Sequence, residues 1–349
     1  MEKQATIRDV AKLAGVSLAT ASRVLNDSTY PVRAELRQKV KEAAESLAYV
    51  PNTMARSLRG EGRQDIGLVI PNVSNQFYLQ TMLGINDVLT PNAYGLILCN
   101  TMRNLEQERA YLRQLYERQV KGVILSSVDE KADTINEYAA KGMKFVLLDQ
   151  KLTGNESACI NFDNRTGTRM ATEYLINLGH RRIAFATLPM IRRTRVETHK
   201  GYRDALLKAG LTYDEALIFQ CLPEKIDAYS DLELEAGQLA AEEFLRQGCP
   251  ATAIVCINDM LAIGVIKTLM QNGVKVPEDV SVFGFDDIPF ASAFLPSLTT
   301  VHYPAAESGR LAAMMMLDVL RNEKPEMSVS MQLTPSLVIR DTVAPPRNV

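Results

Sequence analysis

The 349-residue sequence predicts an all-α helix-turn-helix head followed by an α/β core of two parallel-sheet lobes. Three observations predict it. Residues 6–26 hold two short amphipathic stretches separated by a glycine. From Asp65 onward, short apolar runs of β type alternate with longer amphipathic stretches, the pattern of parallel strands covered by helices on both faces. The core is also too long, at about 280 residues, for one open sheet of ordinary size, so its two similar βα arrays read as two subdomains.

In order, Thr6 can cap a helix whose apolar positions Ile7, Val10, Ala11 and Ala14 fall at i, i+3, i+4 and i+7. Gly15 supplies the backbone freedom for a sharp turn, and Ser17 can cap a second helix. There Ala21, Val24 and Leu25 face inward, leaving Leu18, Ala19, Ser22 and Arg23 outward. Two helices around such a turn form a unit whose second helix fits the DNA major groove. A third helix near residues 34–48 carries Leu36, Val40, Ala44 and Leu47 on one stripe, so three helices can close one small core. The head spans residues 1–50. Residues 51–61 form a hinge segment ending in Gly60-Glu61-Gly62, with a stretch from Pro51 to Gly60 able to form one or two helical turns. An isolated helix this short is unstable in water and needs a partner or DNA to order it.

The core spans residues 62–349. Its apolar runs are Ile66–Ile70, Gly95–Cys99, Gly122–Ser126, Lys144–Asp149, Arg182–Thr187, Thr252–Ile257 and Val280–Phe285. Helical patterns lie between them near 77–90, 104–119, 131–141, 164–178, 199–209, 235–247, 259–272 and 305–321. The break between lobes is placed near Asn161–Asp163.

Net charge is −2, which alone argues against a general polyanion binder. The distribution says otherwise, because residues 1–60 hold ten Lys/Arg against six acids. The positive charge therefore sits on the head, where DNA would lie. Five cysteines (99, 159, 221, 249 and 256) form no CxxC pair and read as buried free thiols in a reducing cytosol. The charged N-terminus has no apolar signal region and no apolar run approaches a membrane span, so the expectation is a cytoplasmic, nucleoid-associated protein with no membrane partner.

Several motifs go beyond a generic helix-turn-helix. They are Ile7-Arg8-Asp9-Val10-Ala11, Val16-Ser17, Ser22-Arg23-Val24-Leu25-Asn26, Tyr49-Val50-Pro51-Asn52 and Ala55-Arg56-Ser57-Leu58. Later come Leu178-Gly179-His180-Arg181-Arg182-Ile183, Asp279 through Asp286, and Leu298-Thr299-Thr300-Val301. In these the chain resembles the lactose-repressor/galactose-repressor family of bacterial transcription regulators along essentially its whole length. The resemblance implies a periplasmic-binding-protein-like core in which the chain crosses between lobes three times, with later crossings near 286–292 and 321–330. That puts about 62–161 and 290–321 in the N-lobe, and about 162–289 and 322–341 in the C-lobe. It implies DNA contacts from Thr6, Ser17, Leu18, Ala19, Thr20, Ser22, Arg23 and Asn26 in the head, and from Asn52, Ala55, Arg56 and Leu58 in the hinge. Leu58 would be a wedge at a minor-groove base step. Some family members carry a leucine-heptad tail that makes tetramers. The Pro-rich tail from Asp341 has no heptad, which favours a homodimer on a pseudo-palindromic operator.

No Walker loop, GxGxxG, GxSxG or metal-spaced cluster is present, so neither a cofactor nor a metal is expected. His180, in a helix-to-strand turn, reads as structural. In open parallel sheets ligands bind beyond the carboxyl ends of the strands. Asp149, Asn258 and Asp286 stand at such ends, with Phe77 and Tyr78 just after the first strand's loop. Carboxylates and amides beside aromatic faces suit a sugar-like effector. Asn258 has an equally plain reading as the cap of the helix at 259–272. Two positions depart from the family. Where many members have an arginine three residues before a glycine, here Gly201, this chain has Thr198, with Arg192, Arg193, Arg195 and Lys200 nearby. Such a basic run is usually solvated surface. Alternatively, Arg195 or a neighbour replaces the missing arginine and selects a sugar acid or sugar phosphate. The second departure is Tyr30-Pro31-Val32-Arg33, where Arg33 stands in place of the usual Ser/Thr cap of the third helix.

The sequence thus reads as a ligand-responsive, sequence-specific transcriptional repressor of carbohydrate-utilisation genes rather than an enzyme. A sugar-binding protein without a regulatory role is disfavoured by the DNA-binding head. An α/β enzyme with a DNA-binding appendage is disfavoured by the lack of a nucleophile, base or cofactor motif.

Overall fold

A computed structural model of the chain describes residues 5–25, 30–49, 64–150, 152, 154–221, 232–321 and 329–347. It divides into a head, residues 1–64, and a core, residues 65–349.

The head contains helices α1 (Ile7–Leu13), α2 (Leu18–Leu25) and α3 (Ala34–Ser46). Asp9 closes the start of α1 by accepting the Thr6 N–H at 2.9 Å and the Thr6 hydroxyl at 2.6 Å. Gly15 makes the turn at φ +65°, and the Ser17 hydroxyl oxygen accepts the Thr20 N–H at 3.1 Å to cap α2. Val10, Ala11, Ala21, Val24, Val40 and Ala43 form the core of the head. The helix α3 starts after Arg33, which has an extended backbone and gives no side-chain cap bond. Substituting the usual cap residue therefore leaves the start of α3 in place, because Val40 and Ala43 still anchor its buried face. Asn26 and the hinge residues Asn52, Ala55, Arg56 and Leu58 lie outside the described residues.

The core holds two six-stranded sheets. The first contains β1 (Gln64–Ile70), β2 (Tyr94–Asn100), β3 (Gly122–Leu125), β4 (Lys144–Leu148), β5 (Ala158–Phe162) and β11 (Ser330–Leu333), in the order β11-β5-β4-β3-β1-β2. The second contains β6 (Ile183–Thr187), β7 (Ile218–Gln220), β8 (Ala253–Cys256), β9 (Ser281–Asp286), β10 (Thr299–His302) and β12 (Ser336–Val338), in the order β12-β10-β9-β8-β6-β7. The β10–β12 pair is antiparallel, while β6, β8, β9 and β10 run parallel.

The first lobe adds α4 (Gln76–Leu89), α5 (Leu105–Glu117), α6 (Asp133–Ala140) and α12 (Ala305–Arg321). The second adds α7 (Asn164–Asn177), α8 (Arg193–Lys208), α9 (Leu232–Arg246), α10 (Asp259–Gln271) and the short α11 (Pro289–Ala293).

The chain passes between lobes after β5, since β6 belongs to the second sheet. The two later crossings need correction. Residues 290–302 do not return to the first lobe, because β10 joins the second sheet with Thr299 in register with Phe283. The crossing follows His302 and leads into α12. Nor does the whole of 322–341 lie in the second lobe. Here β11 extends the first sheet beside β5, and the last crossing lies between Leu333 and Ser336. Hydrogen-bonded pairing decides membership, and β11 is too short and exposed for its sequence to announce it.

His180 is buried, with Nδ1 2.8 Å from the Thr252 hydroxyl and Nε2 2.9 Å from the Ala344 carbonyl, tying the tail to the second lobe. All five cysteines are free thiols. Among the described residues no helix is long and apolar enough to cross a membrane, and no group of side chains could hold a metal ion.

Candidate functional site

The parallel strands of both lobes end at one cleft, which leaves about 90 Å³ of free space. All seven core positions singled out in the sequence line it: Phe77, Tyr78, Asp149, Arg195, Thr198, Asn258 and Asp286. Each is placed by a strand end or by the first turns of the helix that follows. Asp149 comes directly after β4 and Asp286 closes β9, both at positive φ, +59° and +114°. Non-glycine residues rarely adopt such angles, so the cleft edge holds its acids in costly backbone geometry.

Phe77 and Tyr78 open α4, where Asn75 caps the helix by accepting the Phe77 N–H at 2.9 Å. Phe77 meets Tyr303 edge to face at 4.6 Å, and Tyr303 stacks on Phe162 at 4.1 Å. This aromatic wall presents apolar faces beside the polar groups. The Tyr78 hydroxyl lies 3.1 Å from that of Ser126. Asn258 fulfils its plain reading, since its side-chain oxygen accepts the Leu261 N–H at 2.9 Å and caps α10. The cap occupies the oxygen and leaves the amide N–H groups for the cleft.

The basic stretch is not a loop. The helix α8 begins at Arg193, six residues before the expected start at 199, with Arg192 as its N-cap. Neither a side-chain cap bond nor an acid stands in its first turn. Arg192, Thr194, Arg195 and Thr198 all line the cleft. Thr198, at the position of the family arginine, donates its hydroxyl to the Thr194 carbonyl at 2.7 Å and so has no proton left for a ligand. Arg195 stands one turn earlier on the same helix and donates to the Pro189 carbonyl at 2.9 Å. Arg192 reaches across to the first lobe, donating to the Ser127 carbonyl at 3.3 Å.

The sequence reading missed Arg103, Glu233 and Tyr303. Arg103 follows β2, and the rule that ligands gather at strand ends would have found it. Its guanidinium pairs with the Glu233 carboxylate from the first turn of α9, an ion pair between the lobes. Glu233 carried no signal, because a glutamate in a helical first turn is ordinary. Tyr303 follows β10, the strand assigned to the wrong lobe.

The carboxyl groups are unevenly charged. Burial pushes Asp149 up to about 6, against the opposing pull of Arg192 and a 3.4 Å hydrogen bond from Asn164. Asp286 is pushed well above the usual carboxylate range by burial and then by the neighbouring Asp259, Asp149 and Glu233. Burial, Arg192 and Arg103 together lower Arg195 to about 10, still a cation at neutral pH. Behind the site, the buried Asp259 accepts the Thr300 hydroxyl at 2.5 Å and the Ile288 N–H at 2.8 Å, bracing the ends of β9 and β10.

In the head, Leu18, Ala19 and Arg23 are exposed on α2, while Thr20 and Ser22 are partly buried. Thr6 and Ser17 stand at the starts of α1 and α2.

Comparison with known proteins covers both units. Residues 6–52 match bacterial regulatory proteins of the lacI family, and residues 63–340 match the periplasmic binding proteins and sugar binding domain of LacI family. The HTH-type transcriptional repressor PurR of Vibrio atlanticus (strain LGP32) is 33% identical over 342 residues, covering 97% of this chain and 98% of that one. The lac repressor dimer bound to operator and the anti-inducer ONPF is similar with a TM-score of 0.82 at 26% identity, over 98% of this chain and 100% of that one. A complex of the transcriptional regulator CelR with cellobiose is similar with a TM-score of 0.69 at 30% identity, over 97% of this chain and 99% of that one.

Proposed function

Because the chain belongs to the LacI family of bacterial regulatory proteins, we propose that it is a transcriptional repressor whose operator binding is set by a small anionic sugar derivative in the core cleft. Two heads of a homodimer read a pseudo-palindromic operator in the cytoplasm, on the nucleoid. Arg23, Leu18 and Ala19 meet base edges in the major groove, with Thr6, Ser17, Thr20, Ser22 and Asn26 around them. The hinge residues Asn52, Ala55, Arg56 and Leu58 enter the minor groove. The effector acts by binding one arrangement of the lobes more tightly than another.

The observation that carries the effector class is the start of α8. A helix N-terminus already holds partial positive charge, and acids normally stand there. Here Arg192 and Arg195, both lining the cleft, stand there instead, without a capping side chain. Positive charge at that end favours a bound anion, and paired N–H donors of arginine suit a carboxylate or phosphate. The high proton affinity of Asp286 removes one carboxylate charge from a cleft that three arginines, 103, 192 and 195, line. The aromatic wall and the Asn258 amide then serve the ring and hydroxyls of a sugar acid or sugar phosphate.

Calorimetric titration of the chain against matched neutral and acidic sugars tests this. The acidic member should bind more tightly, and Arg195→Ala should weaken it by on the order of 10–100-fold, as loss of a charge-assisted hydrogen bond does. Tighter binding of the neutral member, or an acid affinity indifferent to Arg195→Ala, would return the arginines to a structural role.

A further inference from the structure

The Tyr30-Pro31-Val32-Arg33 segment, between α2 and α3, has no part in the effector site. Tyr30 is a large aromatic residue left 55% exposed, yet its ring face is not bare. The Arg23 guanidinium carbon sits 4.0 Å from the ring centroid. Val32 packs against the head core, and a residue before proline is confined to extended backbone conformations. The ring is thus held between an anchored segment and the last turn of α2.

We infer that Tyr30 is a positioning residue for sequence readout, stacking on Arg23 so that its guanidinium is already oriented when it reaches a base edge. This rests on the reading of Arg23 as a base-contacting residue. Guanidinium is planar, with its five N–H donors in the plane. Stacking occupies the face and leaves that edge free, whereas a carboxylate partner would consume the same donors that a guanine O6 and N7 require. An unrestrained arginine also loses rotamer freedom on binding, and a pre-stacked one loses less. Pairs of this kind at exposed sites stabilise by an amount equivalent to a roughly two- to five-fold change in an equilibrium constant.

The test uses the full-length chain and randomised DNA duplexes, so no operator need be known beforehand. Selected sites should contain a base pair whose preference is lost in Arg23→Ala. Tyr30→Ala should relax that same base pair by about two- to five-fold and leave the others unchanged, while Tyr30→Phe, which keeps the ring, should retain the preference. A uniform loss on all sequences, shared by Tyr30→Phe, would make Tyr30 a phosphate contact through its hydroxyl and overturn the inference. So would an unchanged preference in Tyr30→Ala. Thermal melting of each variant separates these results from unfolding of the head. If the parent chain selects no sequence at all, the regulator reading itself fails, and the positioning role falls with it.

Discussion

At the scale of single residues, charge state decides what the cleft accepts. Asp149, at about 6, is protonated in mildly acidic solution and becomes a carboxylate as pH rises. An anionic effector prefers the protonated form, so its binding takes up a proton, and affinity should fall as pH rises through about 6. Above that value the limiting slope is roughly ten-fold per pH unit for one coupled group. A matched neutral sugar donates hydroxyls equally well to the charged carboxylate and should show no such loss. Titrations at several pH values check this, and Asp149→Asn should flatten the profile. A profile that rises with pH for the acid would mean that Asp149 does not face it. This residue was legible in the sequence because it closes an apolar run. Arg103 stands three residues beyond the end of β2 rather than directly after it, so the same strand-end rule would have reached it only by looking past Asn100. The Thr198 departure was legible as a missing arginine. Its remedy, Arg195 one turn earlier, needed the helix to be known.

At the scale of elements, α8 is where the sequence misled. Its start has the inverse of the usual signals: three arginines, no acid and no cap, so residues before 199 read as loop. What fixes the helix is its packing. Gly201 lies so close to α7 that an added Cβ would stand 2.1 Å from the Arg165 carbonyl oxygen. The same device joins α4 to α12, where a Cβ on Gly309 would stand 2.1 Å from the Thr81 carbonyl oxygen. A backbone atom cannot yield as a side chain can. Gly201→Ala should therefore destabilise the core by about 1–3 kcal/mol despite its better helix propensity. It should also push Arg195 and Thr198 away from their places, weakening effector binding beyond what the stability loss explains. Thermal melting together with titration checks both, and an unchanged melting temperature would show that α8 can shift freely. The strong apolar strands β1, β3, β4, β6, β8 and β9 were all legible from sequence. The short β11 and β12 were not, because exposed strands at a sheet's edge need no apolar run.

At the scale of the whole molecule, regulation requires that the effector cleft and the operator contacts share one equilibrium. Head and core are separate compact units, so in the proposed regulator a change at the cleft has to reach the operator contacts of the other unit. The inter-lobe contacts Arg103 to Glu233 and Arg192 to the Ser127 carbonyl are what an entering anion would rearrange, since both guanidiniums line the cleft. A ligand that touches both lobes and competes for those arginines has different affinities for different lobe arrangements, which is the condition for control. The most direct measurement is the affinity of the full-length chain for a duplex it has itself selected, with and without matched acidic and neutral sugars. The acidic member should change operator affinity by about ten-fold or more. The neutral member should not, and Arg195→Ala should abolish the response while keeping effector-free DNA binding. An operator affinity indifferent to every acidic sugar that the core binds would contradict the account.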